Sequence, residues 1–226
     1  MTVSKRVGRT VGLLLCLQMI GFIVPFVLLL PLTGGVETYL ANAGAASFQT
    51  KLAVALLVAN CALTIGIAIT AFRVFREHNE SMSLWLIAAS IIMLVLQVAD
   101  NVHVLSMLSF SEQYSASASS DAQVRMLAAA LATTRQWAHI SELFAIDAWI
   151  LLFYSVVYRF ALVPRTIAVF GLVTVALHFM GIPLREYLGY SPIAVMGMPM
   201  AVSHITIGIW LMVGGFRAAA HEQVIR

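Results

Sequence analysis

Asp100 and His103 stand three residues apart in an otherwise apolar run, MLVLQVADNVHVLSML (93–108), and His139 and Glu142 repeat that spacing in reverse order. Residues three or four apart share one face of a helix, so each pair would present a carboxylate beside an imidazole. Metal sites in helical bundles are assembled from such carboxylate-x-x-His pairs on facing helices. His178 and His204, in two further apolar segments, would complete the coordination of one or two ions. The candidate ligands are therefore His103, His139, His178, His204, Asp100 and Glu142, with Asn60, Gln97, Asn101 and Asp147 as supporting polar groups. Imidazole suits zinc, copper and iron alike, so donor type does not choose among them. Two histidines on facing helices would also ligate a haem axially, but the neighbouring acids favour a small hard or borderline cation.

Plainer readings use the same residues. Each histidine can be an interhelical hydrogen-bond partner, Glu142 can pair with Arg135 two helical turns away, and Asp100 can pair with His103 alone. Asp147, rotated away from Glu142, would meet Asn60 or a backbone carbonyl. The alternative to a metal-binding protein is thus a non-enzymatic membrane component whose polar cluster locks helix packing. A small-solute or proton carrier is the third reading, because ionisable residues inside membrane segments mark such routes. An oxidoreductase or hydrolase would be the enzymatic form of the metal reading. The chain has no G-x-S-x-G, no phosphate loop and no H-E-x-x-H, so no motif names a reaction.

The elements that position these residues must be membrane helices. The 226 residues are 61% hydrophobic and 10% charged, where a soluble domain carries about 25% charged residues. A membrane helix needs about 20 predominantly apolar residues, and six segments qualify: 10–33, 51–74, 83–109, 137–159, 166–184 and 195–216. The chain, 1–226, reads as a single all-α transmembrane domain with the lipid bilayer as its partner. The fourth segment could begin near Asp121, where Ser and Asp offer helix N-caps; a separate interfacial helix over 122–135 is the alternative. Lys5, Arg6 and Arg9 before Val11–Leu32, with LANAGA following, imitate a signal peptide. The apolar run exceeds the roughly 7–15 residues of a signal core, which predicts an uncleaved first membrane helix. Cys16 and Cys61 fit no metal or redox spacing. No basic cluster carries interleaved aromatics, which argues against nucleic-acid binding.

Lys and Arg concentrate in cytoplasmic loops of membrane proteins. With the N-terminus inside, nine of the 13 Lys and Arg fall on the inner side and four on the outer, which predicts both termini in the cytoplasm. The third and fifth segments then run outward and carry His103 and His178 past the midplane. The fourth and sixth run inward and place His139 and Glu142 near the outer end, with His204 deeper. Four histidines on four helices are expected in the outer half of the membrane.

The last third carries a resemblance. LLFYSVVYRFALVPRTIAVFGLVTVALHFMGIPL (151–184) and GMPMAVSHITIGIWLMVGGF (197–216) show a Tyr-rich helix end, a short loop closing on Pro164-Arg165 and a glycine-bearing helix. A Met-Pro entry, a polar pair, Ile-Trp-Leu and a terminal Gly-Phe follow. Over about Trp137–Phe216 this resembles the bacterial membrane family called domain of unknown function 4386. The resemblance implies a multi-pass protein of the bacterial inner membrane and no established activity. Where that family's pattern often has Asn-Glu, this chain has Ser203-His204, so the resemblance implies a polar position whose chemistry varies.

Overall fold

Because lipid offers the backbone no hydrogen-bond partner, a chain of this composition must satisfy its amides within helices or a closed barrel. The computed structural model describes residues 2–30, 35–117, 122–190 and 193–217. Among the described residues it is entirely helical: α1 (Val3–Leu29), α2 (Val36–Asn42), α3 (Ser47–Phe75), α4 (Glu80–Ser117), α5 (Ala122–Arg159), α6 (Arg165–Leu188) and α7 (Ile193–Gly214). Six of these are long and apolar enough to cross a membrane, one for each expected segment. The expected N-cap near Asp121 lies outside the described residues. The stretch 122–135 is the first part of a continuous α5, not a separate interfacial helix. At about 1.5 Å per residue, the 38 residues of α4 and of α5 each extend to about 57 Å, well beyond the roughly 30 Å hydrocarbon core.

The chain divides into two compact units. One consists of Met1–Met19, Ala62–Met93 and Phe144–Arg226, the other of Ile20–Cys61 and Leu94–Leu143. The first unit is built on close backbone approach between α1 and α7. A Cβ on Gly12 would stand 2.6 Å from the Gly208 carbonyl oxygen and from the Met212 amide nitrogen, and a Cβ on Gly8 would overlap the backbone at Gly215 and Phe216. Small residues four apart allow this contact, which is how membrane helices gain dispersion energy without a hydrophobic driving force between them. Behind it lies an aromatic core in which Trp149 stacks on Phe153 at 5.6 Å and Phe75 meets Phe216 at 5.4 Å. Helix α6 packs on α7, and Gly171 of α6 leaves room for the Tyr154 ring. The turn from α5 to α6 puts Ala161 in the left-handed region (φ 51°), a conformation that costs a non-glycine residue about 1–2 kcal/mol. Burial of the adjacent Leu162 and Val163 offsets it.

In the second unit the short helix α2, which lies between the first two expected membrane segments, is held by packing. Tyr39, Leu40 and Ala43 are buried against Met107 and Leu108 of α4. The Ser111 hydroxyl donates to the Leu40 carbonyl at 3.0 Å, and Ser47 donates to Glu112 at 2.6 Å. Seven residues are too few for an isolated helix to be stable, so the burial of Tyr39 and Leu40 and the bond from Ser111 stabilise α2.

Gly12→Leu forces a side chain into backbone that cannot retreat. We expect a loss of about 1–3 kcal/mol of stability, read as a lowered midpoint of thermal unfolding in detergent, with Gly66→Leu as control because nothing lies near a Cβ there.

Candidate metal centre

Helix α5 carries Arg135, His139 and Glu142 at i, i+4 and i+7, one continuous face. That face meets Asp100 of α4. The Arg135 Nε stands 3.3 Å from Asp100 Oδ1, and His139 Nδ1 lies 3.9 Å from Asp100 Oδ2 and 3.2 Å from Glu142 Oε2. Asp100 and Glu142 are 2% and 4% exposed, which makes them ionisable groups essentially without solvent, while His139 and Arg135 are half-buried. The contact between Arg135 and Asp100 is electrostatic and lacks hydrogen-bond alignment, because neither Arg135 Nε nor Asp100 Oδ1 has a hydrogen-bond partner among the described residues. One donor atom from each of Asp100, His139 and Glu142 falls within 4.8 Å of the other two. Among the described residues, no other three His, Cys, Asp or Glu side chains converge in this way.

Supporting amides line the same unit. Gln97 donates to the Asn101 carboxamide oxygen at 3.2 Å, and Asn101 donates to the Val54 carbonyl at 3.4 Å. Asn60 packs against Gly21, whose missing side chain leaves room for the carboxamide. His103, half-buried on α4, is not among the three converging residues.

Asp147, His178 and His204 belong to the other unit. Both Asp147 oxygens accept from His178 Nδ1, at 2.7 and 2.9 Å, so Asp147 partners an imidazole on α6 where the sequence suggested Asn60 or a carbonyl. This carboxylate holds the proton on Nδ1 and leaves Nε2 beside Gly197. His204 is bound through Gln18: the Gln18 amide donates to the Thr64 hydroxyl at 2.5 Å, and its oxygen lies 2.9 Å from His204 Nε2, which must donate. The Thr174 and Ser203 hydroxyls meet at 2.9 Å, with the Tyr154 hydroxyl donating to Ser203 at 3.4 Å. Asp100 takes Arg135 as its cation, so the sequence pairings of Glu142 with Arg135 and of Asp100 with His103 alone do not describe these contacts. The pairing of Arg135 with Asp100 was missed, although the i, i+4, i+7 face of α5 is visible in the sequence.

Gln18→Leu removes two buried hydrogen bonds, those that Gln18 makes with Thr64 and with His204. We expect a loss of about 2 kcal/mol or more, measurable as thermal destabilisation, while Gln18→Glu, which retains an acceptor for His204, should lose less.

Comparison with curated proteins and with solved structures returns no match. One family model does match, the domain of unknown function (DUF4386), over residues 10–215. That alignment takes in every membrane-length helix and all the polar groups described above, in the first half of the chain as well as the last third. The chain belongs to the DUF4386 family.

Proposed function

We propose that this multi-pass membrane protein binds a divalent transition-metal ion on Asp100, His139 and Glu142. The observation that carries the reading is the convergence of their three donor atoms within 4.8 Å. With bonds of about 2.0–2.1 Å, adjacent ligands of a tetrahedral ion stand about 3.4 Å apart, and the two distances from His139 Nδ1, 3.2 and 3.9 Å, bracket that value. Two carboxylate oxygens and one imidazole nitrogen suit zinc or iron(II) better than copper(I), which prefers sulfur. Carboxylates are not haem axial ligands, so the donor set also favours an ion over haem. Three protein ligands leave a fourth position for water, the composition of catalytic zinc sites. His178 and His204 hold their own partners in this reading and are not ligands.

The nine-to-four distribution of Lys and Arg supports both termini lying in the cytoplasm. The resemblance of the last third of the chain implies a bacterial inner membrane as the location. The centre would then sit toward the outer face.

A second reading is favoured by Arg135. Its guanidinium already neutralises Asp100, so the cluster can be a proton-holding ion-pair network without metal. The two readings separate on purified protein prepared without chelator. Metal binding gives near-stoichiometric zinc or iron by elemental analysis, lost in His139→Ala and Glu142→Gln and kept in His178→Ala and His204→Ala. Ligands must be deprotonated to bind, so metal should be released as pH falls. Arg135→Gln removes a competing cation and should tighten metal binding. The network reading gives no metal in any form, and Arg135→Gln instead destabilises the fold by about 3–5 kcal/mol by leaving a buried charge unpaired.

A further inference from the structure

Within the first unit, α5 ends at Arg159 and α6 begins at Arg165. The corner between them is held in place from three sides. Leu162 and Val163 are buried in the core, the Leu162 amide donates to the Val157 carbonyl at 3.0 Å, and the Arg217 amide donates to the Leu162 carbonyl at 2.9 Å. Two arginines are thereby presented from fixed backbone. They line a cleft of about 490 Å³ together with Ser155, Tyr158, Met82 and Leu172.

The chemistry of this cleft is divided. Two guanidiniums and two hydroxyls make a donor-rich, cationic portion, and Met82 and Leu172 make an apolar one. Among the described residues no carboxylate stands within ion-pair distance of Arg159 or Arg165. The Arg159 guanidinium rests instead over the Phe160 ring at 5.6 Å. Arg165 is also the first residue of α6, whose N-cap, Pro164, supplies no side-chain acceptor to the first-turn amides. The positive end of the α6 helix dipole lies at the same edge. Guanidinium forks match phosphate oxygens bidentately, and a cleft of this size accommodates a headgroup but not a whole lipid.

We propose that the cleft binds the phosphate headgroup of an anionic membrane phospholipid. Arg159 and Arg165 hold the phosphate, Tyr158 and Ser155 donate to its remaining oxygens, and Met82 and Leu172 lie along the first part of an acyl chain. The source is a lipid and not a free anion because the cleft sits at the ends of two membrane-length helices and continues into apolar side chains. With both termini inside, as proposed above, this corner lies on the cytoplasmic side, where the leaflet carries anionic lipid and basic residues are attracted to it.

The test is native mass spectrometry of the full chain in detergent, titrated with dioleoyl-phosphatidylglycerol, with dioleoyl-phosphatidylcholine, and with inorganic phosphate. One tightly held phosphatidylglycerol per chain is expected, with phosphatidylcholine weaker. Each of Arg159→Gln and Arg165→Gln should weaken it about fivefold, and the double variant about 25-fold, from the attraction of a single basic residue to an anionic surface. Arg73→Gln/Arg76→Gln, which changes arginines expected on the same side but outside the cleft, should leave the bound lipid in place. Equal retention of the two lipids, or equal loss in the Arg73/Arg76 control, would overturn the proposal. Displacement of the lipid by millimolar inorganic phosphate would also overturn it, since the site would then be one for a soluble anion. If the double variant does not fold, the two single variants decide the question by the same criteria.

Discussion

Inside a bilayer every charge must be compensated by the chain itself, since neither water nor a counterion is at hand, and the arrangement of the polar residues in this protein follows from that constraint. Helix α5 bears most of it. It carries Arg135, His139, Glu142 and Asp147 along its length, and 56% of its most apolar window is buried, against 28–39% for the other five long helices. An enclosed helix that must place these four side chains has little freedom of rotation. Asp147 must meet a donor, which His178 supplies, and Glu142 must meet His139 while Asp100 meets Arg135.

The two units satisfy the constraint in different ways. In the first, each buried acid or imidazole has a dedicated neutralising or hydrogen-bonding partner, and hydroxyls of Thr64, Thr174 and Ser203 absorb what remains. Such an arrangement is nearly closed: His204 Nδ1 and Trp149 Nε1 are its buried polar atoms left without a hydrogen bond among the described residues. In the second, two carboxylates share one guanidinium and one imidazole, so with the imidazole neutral the group carries a net negative charge. A bound cation would offset that charge, which is why this group and not the pair around His178 is the candidate centre.

Packing supplies what electrostatics does not. The glycines that bring α1 against α7 and Tyr154 against α6 make contacts in which a single methyl group would collide with backbone or ring. These contacts fix the helices that carry Gln18 and His204, so the short hydrogen bonds between them are a consequence of backbone approach. The buried turn at Leu162–Val163 has the same effect at the membrane edge, where it sets the spacing of Arg159 and Arg165.

Composition and hydropathy alone determined the solvent, the all-helical class and the number of spans, because a bilayer accepts so few backbone solutions that apolar length nearly specifies the element. Periodicity also showed that His139 and Glu142 share a face, since that depends on helix geometry within one segment. It did not show that Asp100 would find Arg135, that Asp147 would bind His178, or that His204 would reach Gln18 across 186 positions of sequence. Nor did it reveal α2, which is stabilised by burial of Tyr39 and Leu40 and not by its own seven residues. Depth along a helix axis can be counted from the sequence, but the rotation of each helix about that axis cannot. Which imidazole met which carboxylate was therefore decided by tertiary packing, through glycine contacts and ring stacking that turn each helix toward its neighbours.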